Sequence, residues 1–300
     1  MPELLVDELT GDQVILAPAR ALRPDTFRAQ VQAVPTTDAG CPFCPGNEHE
    51  TPPEVARRGA GAPDTPGWRV RVVPNKYPVV GGAVHGAHEV VILSPAHDAD
   101  FGALTDEAAT DAFEMMIERT RAHMHAGCAY VSAFVNHGKA AGASIEHPHA
   151  QLVALDFVPP RVQARLDRFT GERFTADQAA ARVVDGAVNV WCPRAPATPF
   201  AIRLALRDAG ACLDEVDEAH AKLIAVGLRD AIRRLQSVVG GAAYNVIVET
   251  APRGVRGGFH WWIDIAPRLT VMAGFEIGTG VWINIVDPVD AAAALRSAAV

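Results

Sequence analysis

Between residues 136 and 151 the chain reads Asn-His-Gly-Lys-Ala-Ala-Gly-Ala-Ser-Ile-Glu-His-Pro-His-Ala-Gln. Three imidazoles, two carboxamides and a glycine-rich loop meet in this stretch. In an extended strand alternate side chains share a face. His147, His149 and Gln151 therefore point one way, and Pro148 and Ala150 the other. Three polar groups on one face of an otherwise apolar strand are costly unless they are paired or line a site. The proline puts the strand at an edge or an irregularity, where a ligand can approach. Gly138, Gly142 and Ser144 form a turn whose backbone N–H groups can face an anion. A phosphate cradle beside an imidazole favours phosphoryl or nucleotidyl transfer, because a neutral imidazole can attack phosphorus and form a phosphoramidate. Two uses of the pair stand at this point. Both histidines bind a metal, or one binds metal and the other is a nucleophile or base.

Cys41 and Cys44, in Cys-Pro-Phe-Cys-Pro-Gly-Asn, form a knuckle of the kind that grips zinc. No strand-helix-strand context supports a redox pair. Zinc takes four ligands, and His147 is a candidate third. The fourth comes from His49, His85, His88, His97 or His137. His97, in Ser-Pro-Ala-His just past a strand end, is favoured. His123, His125 and His220 fall on helices and are read as solvated. His260, beside Trp261 and Trp262, is read as structural or as a dimer contact. Cys128, Cys192 and Cys212 are scattered and read as buried small hydrophobes. An odd total of five cysteines argues against a disulfide framework.

The elements that must position these residues follow from periodicity. Residues 3–17 read as a hairpin around Thr10-Gly11. Residues 68–74 and 87–94 read as strands. Residues 104–127 form a helix capped by Thr105 and stopped by Gly127. A strand over 129–136 leads into the glycine-rich loop and the histidine strand. The order then recurs: a strand over 200–206, a helix over 214–238 with Leu223, Val226 and Leu228 among its core positions, a strand over 242–250, a loop, and a strand carrying Phe-His-Trp-Trp-Ile-Asp. Tyr130 to His149 and Ala243 to Trp262 span the same 19 positions. This is read as an internal duplication with one chemically armed copy. The expected units are residues 1–157 and 195–300, joined by a connector over 158–194.

The 300 residues are 49% hydrophobic, enough for one large domain or two modest ones. A formal net charge of −8 leaves no broad cationic field for nucleic acid. No apolar run has the length of a membrane span. The first residues, Met-Pro-Glu-Leu-Leu-Val-Asp-Glu, carry acids and no cationic region typical of an export signal. A cytoplasmic protein without nucleic-acid or membrane partners is expected.

The pattern resembles the galactose-1-phosphate uridylyltransferase family, a branch of the histidine-triad superfamily. It does so in Ala-Pro-Ala-Arg-Ala-Leu-Arg-Pro, Cys-Pro-Phe-Cys-Pro-Gly-Asn, Arg-Val-Val-Pro-Asn-Lys-Tyr-Pro, His-Glu-Val-Val-Ile-Leu-Ser-Pro-Ala-His, the 136–151 stretch and Ala-Gly-Phe-Glu-Ile-Gly-Thr-Gly. The resemblance implies an α+β fold of two tandem histidine-triad-like domains. It implies that His149 attacks the α-phosphorus of a nucleotide sugar, with Gln151 holding phosphate oxygens and Ser144 assisting the leaving phosphate. Asn75, Asn136 and Gly142 would line the nucleotide and phosphate pocket. Zinc would sit on Cys41, Cys44, His97 and His147. Arg20 and Arg23 would reach the partner's site in a homodimer, and Phe275 and Glu276 would contact the substrate. The leading expectation is transfer of a nucleoside monophosphate, UMP foremost, from a nucleotide sugar to a sugar 1-phosphate. The Ile-Gly-Thr-Gly that follows Phe275-Glu276 looks more like the nucleotide-sugar phosphorylase branch, in which inorganic phosphate is the acceptor and ADP-glucose or a dinucleoside polyphosphate the donor. Hydrolysis and a zinc-stabilised nucleotide sensor without turnover are further alternatives. The Trp262 and Asp264 positions, where some members carry a His-x-His pair, argue against a second metal.

Overall fold

Runs of alternating Val, Ile, Leu and polar residues build the strands, and their pairing forms the body of the molecule. The computed structural model describes residues 2–22 and 40–299. Within them the strands are β1 (Glu3–Val6), β2 (Gln13–Leu16), β3 (Ala56–Gly59), β4 (Trp68–Pro74), β5 (Gly86–Ile92), β6 (Tyr130–His137), β7 (His149–Leu155), β8 (Arg182–Val184), β9 (Val188–Trp191), β10 (Ile202–Leu206), β11 (Tyr244–Glu249), β12 (Trp262–Pro267) and β13 (Val281–Asn284). The helices are α1 (Asp106–His125), α2 (Pro160–Arg168), α3 (Gly171–Ala180), α4 (Glu218–Val239), α5 (Gly274–Thr279) and α6 (Pro288–Ser297). The chain is α+β, as read from its sequence.

Ten strands form one sheet in the order β3-β4-β5-β7-β6-β11-β12-β10-β9-β8, every neighbouring pair antiparallel. The seam is β6 against β11, where Phe134 faces Ile247 and Asn136 faces Asn245. The strand order is mirrored about this seam. The register is mirrored as well: Gln151 lies opposite Val90, and Asp264, at the corresponding place in β12, lies opposite Arg203. The segment 158–194 holds α2 and α3 and also supplies β8 and β9 to this sheet. A small second sheet joins β1 and β2 to β13.

Helices α1 and α4 cover one face of the large sheet. Thr105 caps α1 by accepting the Ala108 N–H, and Asp217 caps α4 by accepting the His220 N–H. The core beneath them includes Phe113, Met116, Leu152, Ile224, Leu228 and Ile263. In α4 the buried stripe runs through Ala221, Ile224, Ala225, Leu228, Ala231, Ile232 and Leu235. Leu223, expected in the core, is exposed because it falls off that stripe of period 3.6. His123 of α1, expected to be solvated, is half-buried with Nε2 3.1 Å from Glu89. Two smaller clusters occupy the opposite face. Around Trp191, Phe174 and Trp262 lies one of them, and around Cys41, Phe43, Cys44, Trp68, Val90 and Ile92 the other.

Candidate active site and metal centre

Strand β7 carries the site, and it is a central strand between β5 and β6 rather than an edge. It begins at His149, so Pro148 falls just before the ladder, with its carbonyl accepting the Leu93 N–H at 3.0 Å. The missing proline N–H therefore costs no ladder bond, which removes the reason for an edge. Ala150, Leu152 and Ala154 point into the helix-covered core, while His149 and Gln151 take the other face.

His147 ends the approach to this strand and is fully buried. It gathers with Cys41, Cys44 and His97, whose ligand atoms all lie within 4.8 Å of one another. Cys44 Sγ is 3.3 Å from His97 Nδ1 and 3.6 Å from His147 Nδ1. A tetrahedral ion with bonds of about 2.0–2.3 Å separates its ligand atoms by roughly 3.3–3.8 Å, and the two Cys44 separations fall in that range. His147 Nε2 donates to the Ser94 carbonyl at 2.7 Å, which leaves Nδ1 as the ligating nitrogen. The cysteine knuckle is pinned from outside. Asn47 Nδ2 donates to the Cys41 carbonyl, and the Glu48 carboxylate accepts from Gly46 N–H and Trp68 Nε1. Of the other histidines weighed for the metal, His49 is exposed beside Glu50, His137 stacks on Tyr244, and His88 lies on β5 near Gln151.

His149 is buried, with the edge of Phe43 against its ring. Its Nδ1 lies 2.8 Å from the His147 carbonyl oxygen, so Nδ1 carries the proton and Nε2 keeps its lone pair. Burial holds the imidazole below its ordinary pKa, opposed by that backbone acceptor. Gln151 Oε1 is 2.9 Å from His88 Nε2. Asn75 Nδ2 is 3.2 Å from the same ring nitrogen.

The loop after β6 turns sharply at Gly138 and Gly142, with φ of 79° and 90°. A Cβ on Gly138 would come within 2.9 Å of the Ala243 Cβ, so a side chain is barred there by space as well as by conformation. Asn245 Nδ2 spans the seam, donating to Asn136 Oδ1 at 2.7 Å and to the Ala141 carbonyl at 2.9 Å. Arg268 Nε in turn donates to Asn245 Oδ1. The second half of the chain thus holds the 138–144 loop of the first. Nothing in the sequence pattern singled out Asn245 or Arg268, because their partners lie across the seam. Ser144 is exposed at the lip of the loop. Arg20 is exposed on the 3-10 turn Pro18–Leu22, and Arg23 lies outside the described residues. Phe275 and Glu276 lie on α5, where Glu276 accepts the Ala273 N–H. Their hydrogen bonds are local and do not join the His149 group.

The corresponding strand of the second half carries a different arrangement. Trp262 and Asp264 stand where His149 and Gln151 stand in β7. Arg203, fully buried, donates to Asp264, Asp177 and Asp7 at 2.8, 2.9 and 2.7 Å. His260 stacks on Phe174. Among the described residues the Cys41–His147 group is the one set of side chains arranged for a metal.

The arrangement can attack an electrophile through His149 Nε2, with Gln151 on the same strand face to donate to its anion. Comparison with known proteins places the chain among relatives. Residues 81–159 match the family description "Galactose-1-phosphate uridyl transferase, N-terminal domain". The chain is 32% identical to the ADP-glucose phosphorylase of Arabidopsis thaliana over 98% of its own length and 92% of that protein's. It is 28% identical to the galactose-1-phosphate uridylyltransferase of Thermotoga maritima over 55% of this chain and 50% of the relative. The crystal structure of the Arabidopsis thaliana ADP-glucose phosphorylase with bound ADP-glucose superposes with a TM-score of 0.87 at 30% identity, covering 100% of this chain and 99% of that one.

Proposed function

The chain belongs to the galactose-1-phosphate uridylyltransferase family, and from that premise we propose that it is a nucleotide-sugar phosphorylase acting on an ADP-glucose-like donor. The observation that carries the chemistry is the hydrogen bond from His149 Nδ1 to the His147 carbonyl, which leaves Nε2 as a fixed, unprotonated nucleophile. Nε2 attacks the α-phosphorus of the nucleotide sugar. The bond from that phosphorus to the bridging oxygen breaks, and its electron pair leaves with the sugar 1-phosphate. A nucleotidyl group stays on His149. An oxygen of inorganic phosphate then attacks the same phosphorus, the P–N bond breaks back onto the imidazole, and a nucleoside diphosphate departs. Gln151 stabilises charge on the non-bridging oxygens, helped by the loop amides other than those of Ala141, Gly142 and Ala143, which are spent on the Gly138 and Lys139 carbonyls. Asn75, Asn136 and Gly142 line the phosphate and nucleotide pocket, and Ser144 assists the leaving phosphate.

Phosphate as acceptor is supported by the end-to-end likeness to an ADP-glucose phosphorylase. Transfer of UMP to a sugar 1-phosphate is the second reading, favoured by the partial matches to uridylyltransferases. The two share the covalent step and differ in base and acceptor.

Zinc suits the Cys41, Cys44, His97 and His147 donor set, two sulfurs and two imidazoles gathered within 4.8 Å of one another. When bound it supplies a rigid cross-link, since protein fills all four positions. The chain's own residues do the rest: His147 would hold the metal through its ring, and it orients His149 through its carbonyl. We also assign a homodimer in which Arg20 and Arg23 reach the partner's site, and Phe275 and Glu276 contact the substrate. The exposure of Arg20 on the Pro18–Leu22 turn suits that reach. The mirrored strand order supports duplication of one unit into residues 1–157 and 195–300, with the 158–194 connector lending β8 and β9 to the second.

Intact-protein mass spectrometry tests the function. After incubation with ADP-glucose the protein should gain the mass of AMP and lose it on addition of inorganic phosphate. A UMP adduct from UDP-glucose, discharged by a sugar 1-phosphate and not by phosphate, supports the second reading. No adduct with any nucleotide sugar overturns both.

A further inference from the structure

A carboxamide has two unlike ends, one accepting and one donating. Which end of Gln151 is left unbonded decides whether it attracts or repels a phosphate oxygen. Strand β5 makes that choice. His88 lies diagonally across from Gln151, since His88 is opposite Val153 and Val90 is opposite Gln151. The Val79 backbone N–H donates to His88 Nδ1 at 3.2 Å. An N–H can only meet an unprotonated ring nitrogen, so the ring proton sits on Nε2. That Nε2–H needs an acceptor. The neighbouring Asn75 cannot supply one: its Oδ1 accepts the Tyr77 N–H at 2.8 Å, which turns its donor end, Nδ2, toward the ring. The remaining partner is Gln151, 2.9 Å away, and it must present Oε1. Gln151 Nε2, the donor end, is therefore turned away from His88, and it makes no hydrogen bond to the described residues.

We infer that His88 is the positioning residue for Gln151: the Val79 N–H fixes the His88 tautomer, and His88 fixes Gln151 so that its Nε2–H₂ is offered as a donor to a non-bridging phosphate oxygen. The chain Val79 N–H to Nδ1, then Nε2–H to Oε1, is a polarised series in which each bond strengthens the next. The inference rests on the nucleotidyl-transfer chemistry proposed above. It gives His88 a task distinct from metal binding and explains why an imidazole occupies a buried place on β5.

Two experiments test it. The first is rapid-quench measurement of nucleotidyl-enzyme formation with ADP-glucose. His88→Leu should slow formation about 10- to 100-fold, chiefly in the rate at saturation rather than in KM. His88→Gln, whose own Nε2–H₂ can donate to Gln151, should recover most of the loss. In a Gln151→Ala background, His88→Leu should add nothing. A loss from His88→Leu that is equal with and without Gln151, or no loss at all, overturns the inference. The second experiment is long-range ¹H–¹⁵N NMR of the resting protein, which reads the His88 tautomer without any substrate. The Nε2–H form is expected at neutral pH. An Nδ1–H or doubly protonated ring overturns the inference even if ADP-glucose proves to be the wrong donor, so its failure is distinct from failure of the proposed function.

Discussion

His149 Nδ1 stands 2.8 Å from the carbonyl oxygen of His147, the residue whose own Nδ1 faces Cys44 Sγ at 3.6 Å. Under the proposed function one residue would serve the metal with its side chain and the nucleophile with its backbone. Displacing His147 should then disturb the tautomer control of His149, coupling metal retention to the reaction without placing the metal on the substrate.

Replacing His149 with glycine should abolish adduct formation and lower turnover by at least about 10³-fold. The fold should persist, since the lost ring leaves the metal cluster and the β7 ladder in place. Circular dichroism and the adduct assay read the two quantities separately. An adduct of unchanged yield in the variant rules His149 out as the nucleophile.

Cys41→Ser should lose metal and stability together, because a bound structural ion contributes folding free energy. The melting temperature should fall on the order of 10 °C. Elemental analysis beside thermal melting checks this. Stoichiometric metal with unchanged melting means that Cys41 is not a ligand.

Arg203→Leu should destabilise the protein by about 3–5 kcal/mol, because it leaves the buried Asp7 and Asp177 and the half-buried Asp264 around an apolar side chain. Urea unfolding measures it. A change under about 1 kcal/mol would mean the three carboxylates find other partners or water.

Acid should weaken the fold through Glu89 and Asp7. Burial raises both carboxyls. In Glu89 the hydrogen bonds and charges of His123 and Arg119 outweigh it, and in Asp7 the Arg203 charge and hydrogen bonds do. Both end below their ordinary values. A depressed carboxyl gives stability that is present above its unfolded pKa, about 4, and is lost as pH falls through the folded value. Glu89→Gln should be less stable at pH 7 and lose less stability between pH 5 and pH 3. An identical acid loss in the variant and the parent excludes Glu89 as a contributor.

Mixing His149→Ala with Arg20→Ala protein tests the dimer. Neither parent should work well, yet a heterodimer rebuilds one intact site from Arg20 of one subunit and His149 of the other. Random exchange should restore about a quarter of parental activity, one good site of two in half of the dimers. Absence of any recovery in a demonstrated heterodimer means that Arg20 does not act across the interface.

The sequence alone determined the features that are local in the chain. The helix capped by Thr105, the alternating strands, the cysteine knuckle and the His149–Gln151 face all follow from spacing within a few residues. The recurrence of elements was legible for the same reason, and so was His97, by its place after a strand. Tertiary structure decided whatever depends on pairing across the chain. It put β7 at the centre of the sheet, because the ladder starts after Pro148. It drew α3, β8 and β9 out of a segment that read as a connector, because short strands with no clear period are stabilised by their neighbours. It also joined Asn245 to Asn136, Arg203 to Asp7 and His88 to Gln151, at separations of 109, 196 and 63 residues. Hydrogen bonds of that span leave no periodic trace in a sequence: each needs only one donor and one acceptor, and only the sheet register brings them within reach.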